Sequence, residues 1–395
     1  MKIKDVVILV GGLGTRLGNL TKNIPKPLIM INKISFLDQL ICKIIKYNFK
    51  NIFLLCSYKK EKFFIKYNNK YIHNTKIKCI NEGKPKGTGG ALFKLKNKIK
   101  NDFILLNGDT FFDIDYNSLI SKKLKKKRIF MCITKKENTF NNEKLNNLSL
   151  RKEQIYFSKK STNFTNGGIY LVKKNVLNKI ENKYTSFEDD ILKNEIINKR
   201  VIGKYFNRNF IDIGSKQKLK FIKKKPYIIQ NKCFFLDRDG VVNKECGYVT
   251  KFKSLIFLKG VDTAIKYLNK KGYLVIIITN QAAIGKGLIT ELKLNKIHSK
   301  MINKLYKKNG AIIDDIFYAP YYKYSKKLKY RENLYDRKPN PGMFLKAKKK
   351  WNIDLSKSFY IGDKLSDKIA AKRIKVKFYY KDKFSLYRQI RNIIK

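Results

Sequence analysis

An α/β protein of two three-layer domains is the architecture that three observations predict. The chain has 395 residues, too many for one ordinary domain and comfortable for two at roughly 100–200 residues each. Hydrophobic residues make up 43%, which fills two cores and argues against a disordered chain. Short β-rich apolar runs alternate with longer helical stretches along the whole length, the signature of a sheet covered by helices.

The elements follow in order. Residues 6–10, 52–56, 103–106, 129–133 and 168–172 read as strands of a first unit, and 233–236, 274–278, 315–318 and 359–361 as strands of a second. Between them lies the basic, Pro-containing stretch from Lys223 to Lys232 (KKKPYIIQNK). It sets the domains at 1–225 and 233–395 with a linker over 226–232. Residues 291–307 form an amphipathic helical stretch that carries His298, and Trp351 is expected to start a strand connection and pack. No internal repeat is visible, and the Asn-, Lys- and Ser-rich stretch 137–160 carries no assignment.

Lys plus Arg number 89 against 30 Asp plus Glu, a formal charge of +59. Such a charge suits anionic partners. The lysines are nevertheless spread over the whole chain together with Asn and Ile, as a compositional bias at tolerant surface positions would spread them. The densest run, Lys122 to Arg128 (KKLKKKR), has no interleaved aromatics on which bases could stack. The expectation is therefore anionic small substrates, no nucleic acid and no membrane. Only two histidines exist, His73 in a polar loop and His298, which excludes a His-rich zinc site and leaves little room for a Ser-His-Asp triad. Six cysteines without a C-x-x-C pair read as reduced core residues of a cytoplasmic protein. The apolar run at 6–10 ends in glycines and is no signal peptide, and no run approaches a membrane span.

The first constellation opens the chain. The run 6–10 leads into GGLGTRLG at 11–18, with Gly11, Gly12, Gly14, Thr15 and Arg16, and then into Pro25-Lys26-Pro27-Leu28. A buried strand that runs into glycines lets backbone N–H groups close on phosphates, and Lys26 adds a fixed cation near the same strand end. This pattern resembles the sugar-1-phosphate nucleotidyltransferase family, which has a Rossmann-like fold. The resemblance continues through Glu82 and KGTGGAL at 86–92 with Gly87 and Gly89, NGDT at 107–110, NGGIY at 166–170, Glu188, and FIDIG at 210–214. It implies nucleobase and sugar contacts at Glu82, Gly87, Gly89, Asn166, Gly168 and Glu188, and Mg²⁺ at Asp109 and Asp212. Arg16 would contact the leaving phosphates, and Lys26 would bridge the α-phosphate and the sugar phosphate. The wording is especially close to guanylyltransferases of D-glycero-D-manno-heptose 1-phosphate, which implies GTP and a sugar phosphate as substrates.

The second constellation is Asp237-Arg238-Asp239-Gly240 just beyond a buried strand, where open α/β sheets place their ligands. Three later strands end in Thr279-Asn280-Gln281, in Arg337-Lys338-Pro339 after a long loop, and in Gly362-Asp363-Lys364 with Asp367. Four segments in this order resemble the haloacid dehalogenase superfamily, in its heptose 1,7-bisphosphate phosphatase and histidinol-phosphatase branch. The resemblance implies Asp237 as nucleophile through an aspartyl phosphate and Asp239 as general acid and base. It also implies Mg²⁺ between Asp237, the Asp239 carbonyl and Asp363, with Lys338 and Thr279 on the phosphoryl oxygens, Asn280 beside them, and Arg337 reaching the substrate.

Two departures stand out. Relatives in this branch carry a zinc loop of Cys-x-His and Cys-x-Cys spacing before the lysine motif, whereas residues 318–336 contain neither Cys nor His. No zinc is expected there, and tyrosine packing is expected to hold the loop. The small residues after Gln281 are Ala282 and Ala283, so that contact region differs as well. The combined reading is a bifunctional enzyme of nucleotide-activated heptose synthesis. Its alternatives are the same chemistries on histidinol phosphate or mannose 1-phosphate, and a basic nucleic-acid binder on inactive folds. The oligomeric state stays open.

Overall fold

The computed structural model describes residues 3–31, 34–47, 49–72, 75–135, 148–158 and 163–394; His73 lies outside them. The chain divides into two compact units, Met1–Ile229 and Gln230–Lys395. Within 226–232, Ile229 is buried in a cluster with Leu17 and Phe36 of the first unit, while the Asn231 amide donates to Asn352 O of the second at 2.8 Å.

The first unit is built on a ten-stranded sheet. Its parallel centre runs Phe103–Asn107, Asp5–Leu9, Asn51–Cys56, Thr75–Asn81. The first three of these strands are covered on both faces, which is why they read as continuous apolar runs; Val6, Val7, Ile8 and Ile104 to Leu106 are fully buried. Beyond Phe103–Asn107 the sheet continues through Phe164–Val172, Ile129–Lys135, Val201–Tyr205, Gln154–Phe157 and Leu148–Arg151. Separately, Thr110–Phe112 pairs antiparallel with Phe210–Asp212, which sets Asp212 opposite Thr110. The parallel strands therefore end at one edge, and the ribbon brings the NGDT and FIDIG segments to it.

The second unit has a five-stranded parallel sheet ordered Asp315–Ala319, Leu274–Asn280, Cys233–Leu236, Phe359–Gly362, Lys377–Tyr380. One face (Phe234, Leu236, Val275, Ile277) packs on helices Val261–Lys270, Glu291–Asn309 and Leu386–Ile393. On the other, Phe235 and Tyr360 meet Phe344 of helix Gly342–Trp351 edge to face. Helix Glu291–Asn309 starts where the Thr290 hydroxyl accepts from the Lys293 amide and stops at left-handed Gly310.

Two expectations are corrected. Trp351 does not start a strand connection; it ends helix Gly342–Trp351, buried, with its indole N–H donating to Asp315 at 2.7 Å. The cysteines are not all core residues, since Cys246 is exposed and Cys42 only half-buried. Among the described residues no helix is long and apolar enough to cross a membrane.

Candidate active sites

In the first unit the strand Asp5–Leu9 empties into the glycine loop. A Cβ on Gly11 would stand 2.6 Å from a Glu82 carboxylate oxygen and 3.0 Å from Ser57 Cβ, so a side chain here would have to displace Glu82. The loop forms one wall of a cleft of about 540 Å³ lined by Gly11, Gly12, Gly14, Thr15, Arg16, Lys26, Glu82, Gly87, Asp109 and Glu188. Lys26 pairs directly with Asp109. Burial alone would raise the Asp109 carboxyl, but the Lys26 charge and hydrogen bond and the Thr110 hydroxyl outweigh it and hold the group below the usual carboxylate range. Asp212 sits beside it through the bond from Ile213 N to Asp109 O at 2.9 Å, and its own carboxylate pairs with Lys218 at 2.7 Å. Glu82 is pushed up to about 7 by burial.

Glu188 stands at the start of the wide helical turn Phe187–Leu192. Its carboxylate accepts from the Thr88 hydroxyl at 3.0 Å and the Asn107 amide at 3.2 Å. Gly89, Asn166, Gly168 and Asp212 are not among the lining residues. Gly89 N donates to Thr185 O at 2.8 Å, the Asn166 side-chain Oδ1 accepts from Gly168 N at 2.9 Å, and Gly168 abuts Asn107 and Thr110. The sequence reading gave no role to Thr88, whose partner Glu188 is 100 residues away in the chain, or to Lys218, which reaches Asp212 from the following helix.

In the second unit, Asp237 follows strand Cys233–Leu236 and is buried. Its Oδ1 accepts from the Arg238 amide at 2.7 Å, and its Oδ2 faces Lys338 Nζ at 2.9 Å. Lys338 also reaches Asp367 at 2.7 Å, Ile278 O at 3.0 Å and the Tyr360 hydroxyl at 3.0 Å. Asn280 clamps the Lys338 backbone from both sides, donating to its carbonyl and accepting from its amide at 3.0 Å. Burial pushes Asp237 up to about 7; Lys338 opposes this and Asp367 adds to it. Lys338 is raised although burial opposes it, because two carboxylates face it.

The Asp239 carboxylate points elsewhere. It accepts three guanidinium bonds from buried Arg238 at 2.8–3.1 Å, one from Asn243 at 2.9 Å and one from Gln281 at 3.0 Å. Gln281 in turn donates to the Thr279 hydroxyl at 2.9 Å. His298 is buried behind this group, its Nε2 3.3 Å from Arg238 Nη1. Arg337 donates to Tyr321 O at 3.1 Å.

Asp237, Asp363 and Asp367 each bring a carboxylate oxygen within 4.8 Å of the others. Asp363 Oδ1 is buried without a hydrogen-bond partner among the described residues. Gly240 leaves the approach clear, since a Cβ there would stand 2.1 Å from Asp363 Oδ2. This hard-oxygen set fits a small divalent cation such as Mg²⁺. Asp367, to which the sequence reading gave no role, is the residue that orients the set. It accepts from Tyr360 at 2.8 Å and from the amides of Lys364 and Asp363 at 3.0 and 3.2 Å.

Comparison with known proteins assigns a family to each unit. The nucleotidyl transferase family matches residues 5–145, and the polynucleotide kinase 3 phosphatase family matches residues 233–390. The chain is thus an enzyme of two classes, a nucleotidyltransferase followed by a phosphatase. A D-glycero-alpha-D-manno-heptose 1-phosphate guanylyltransferase of Campylobacter jejuni is 36% identical over 217 residues, 53% of this chain and 94% of its own. A D-glycero-beta-D-manno-heptose-1,7-bisphosphate 7-phosphatase of Haemophilus ducreyi is 39% identical over 146 residues, 37% of this chain and 80% of its own. The solved inositol-1-phosphate CTP transferase of T. maritima shares the first unit's fold, with a TM-score of 0.50 at 17% identity over 58% of this chain and 97% of that one. The chain belongs to the sugar-1-phosphate nucleotidyltransferase family through its first unit and to the haloacid dehalogenase family of sugar bisphosphate phosphatases through its second.

Proposed function

We propose that the chain carries out two consecutive steps of nucleotide-activated heptose synthesis. The observation that carries this reading is the presence, in separate units of one chain, of the acid and lysine sets of two enzymes whose named relatives act on the same sugar. The second unit removes the 7-phosphate of D-glycero-D-manno-heptose 1,7-bisphosphate. The first joins the resulting 1-phosphate to a nucleotide, GMP from GTP.

In the phosphatase step an Asp237 oxygen bonds to phosphorus as the phosphorus–sugar oxygen bond breaks, and Asp239 gives that oxygen a proton. Water then attacks the aspartyl phosphate, Asp239 takes its proton, and inorganic phosphate leaves. Lys338 holds a phosphoryl oxygen and balances the buried Asp237 beside it. In the transfer step an oxygen of the sugar 1-phosphate attacks the α-phosphorus of GTP and pyrophosphate departs. The glycine loop and Arg16 hold the departing phosphates, and Lys26 turns from Asp109 toward the α-phosphate. Asp237 and Asp363 in the second unit, and Asp109 and Asp212 in the first, would hold Mg²⁺, which would supply charge neutralisation for the approaching phosphates. No zinc and no membrane partner enter this reading, and the compartment is the cytoplasm.

The test is incubation with Mg²⁺, either anomer of heptose 1,7-bisphosphate, and each nucleoside triphosphate in turn, with products identified by mass. Both anomers are needed because the two named relatives differ in anomer, whereas serial reactions need one. Expected are phosphate release and a GDP-heptose from the same anomer. Hydrolysis of histidinol phosphate or of a 3′-phosphorylated oligonucleotide in preference to the sugar would overturn the reading.

A further inference from the structure

The loop that joins strand Asp315–Ala319 to Lys338 holds its shape through a carboxylate. Glu291, the first residue of helix Glu291–Asn309, accepts from the Tyr318 hydroxyl at 3.1 Å through one oxygen and from the Tyr330 hydroxyl at 2.8 Å through the other. Burial, and then Glu291 itself, raises both hydroxyls above the ordinary phenol value, so both stay protonated and donate. From Tyr330 the contacts run on through the loop. Its carbonyl accepts from Tyr322 N at 2.9 Å, and the Tyr322 carbonyl accepts from Ser325 N at 3.0 Å. The carbonyl of Tyr321, next in the chain, accepts from the Arg337 guanidinium at 3.1 Å. Ring packing inside the loop is limited to Tyr322 against Tyr324 among the described residues.

We infer that Glu291 is a positioning residue of the phosphatase: it pins the 318–336 loop through two tyrosine hydroxyls and thereby aligns Arg337 on the part of the substrate that does not react. The inference rests on the sugar-bisphosphate reading above. Glu291 touches none of Asp237, Asp239, Lys338 or Asp363, so its loss acts only through the loop. Both of its oxygens are engaged, and a carboxylate acceptor makes each bond stronger than a neutral one. Losing the pin should therefore cost about tenfold or more in substrate alignment.

The measurement is kcat/KM of Glu291→Ala, Glu291→Gln and Tyr330→Phe on two substrates, heptose 1,7-bisphosphate and p-nitrophenyl phosphate. The second substrate offers the site a phosphoryl group with no sugar for Arg337. Expected for Glu291→Ala is a fall of about 10- to 100-fold on the bisphosphate, carried mainly by KM, and less than about twofold on p-nitrophenyl phosphate. Glu291→Gln keeps one acceptor oxygen and should fall between, and Tyr330→Phe should lose about three- to tenfold. Adding Arg337→Ala to Glu291→Ala should cost little more than Arg337→Ala alone. Equal losses on both substrates, no loss on either, or additive effects of Glu291 and Arg337 would overturn the inference. Should Glu291→Ala not fold, Tyr330→Phe decides. Should the wild type hydrolyse p-nitrophenyl phosphate and leave the bisphosphate untouched, the proposed substrate falls. The pin is then judged by amide exchange at Tyr322 and Ser325, at least tenfold faster in Tyr330→Phe if it exists and unchanged if it does not.

Discussion

Replacing Asp237 by Asn should abolish phosphate release and, in metal-free protein, stabilise the second unit. One ammonium, Lys338, faces two buried carboxylates, Asp367 at 2.7 Å and Asp237 at 2.9 Å. Asp367 is further held by Tyr360 and two backbone amides, so Asp237 is the acid left with the weaker share. Burial pushes it from 3.8 up to about 7. Across that window the folded protein binds more protons than the unfolded chain, so the unfolding free energy falls as pH rises, and the penalty is complete above about 7. The displacement sets an upper bound of roughly 4 kcal/mol, and relaxation around the group leaves about 2 as the expected gain for Asn at pH 8. The chain's one tryptophan, Trp351, is buried in the second unit, so its fluorescence reports urea unfolding of that unit. In EDTA the variant should exceed wild type at pH 8 and match it near pH 4. Added Mg²⁺ should close or reverse the gap by stabilising wild type more, through binding to the folded state. A variant equal to or weaker than wild type at pH 8, or a gap that does not shrink in acid, would refute this account of the site.

Asp109→Ala should cut nucleotidyl transfer by about 10³-fold or more while phosphate release stays within about twofold, because the two sites share no residue; wild-type output of nucleotide sugar would take Asp109 out of the site. Elemental analysis of purified protein should find less than about 0.1 equivalent of zinc, and a chelator should inhibit only until Mg²⁺ is restored. One tightly held zinc, whose loss Mg²⁺ cannot repair, would show that reading wrong. Burial and then the Arg238 charge lower His298 from 6.5 to about 3. The unfolded chain therefore binds the extra proton first, and stability should fall as pH drops through that range and stay level above it. His298→Gln should flatten that acid limb of the urea midpoint profile, and an unchanged limb would remove His298 as its source.

What was legible in the sequence was local. Strand Cys233–Leu236 is found at its expected bounds because four apolar residues stand between Lys232 and Asp237. Strand Thr75–Asn81 was missed because lysines alternate with its apolar residues. Those lysines line a half-covered face, and Lys78 lays its ammonium 5.3 Å from the centre of the Phe53 ring, burying its stem while the charge stays wet. The glycine loop and the DxD segment were legible for the same reason as the short strand: backbone geometry and chemistry coincide in a few adjacent residues. Gln281, Asp367 and Thr88 lay inside the motif segments, but their roles, like that of Glu291, were not legible, because each comes from a partner that only the tertiary fold supplies. Asp367 carried a faint signal, four residues past Asp363 and in the first turn of helix Leu365–Arg373. That spacing alone could not tell a carboxylate that shapes the site from one that caps the helix.

The distribution of acids decides between a phosphate-ester enzyme and a basic binder on dead folds. Only 30 carboxylate side chains stand against 89 cationic ones. Even so, Glu82, Asp109 and Glu188 line the first cleft, Asp212 abuts it, and Asp237, Asp239, Asp363 and Asp367 gather at one end of the second sheet. A groove for a nucleic-acid backbone gains affinity from cations and loses it with every carboxylate it presents. Five of these acids are tied to cations that hold them in place: Asp109 to Lys26, Asp212 to Lys218, Asp239 to Arg238, and Asp237 with Asp367 to Lys338. Several are buried or half-buried, where an ionised carboxylate is costly unless it is paired or coordinates a metal. Neutralised carboxylates next to phosphate-binding loops suit chemistry in which a cation bridges acid and phosphate, and in which lysine can turn from one to the other as substrate arrives. The surrounding positive field then concentrates small polyanions at the clefts. Charge that would be a liability for selectivity in a nucleic-acid binder thus becomes, around acid-lined clefts, a device for gathering sugar phosphates and nucleoside triphosphates.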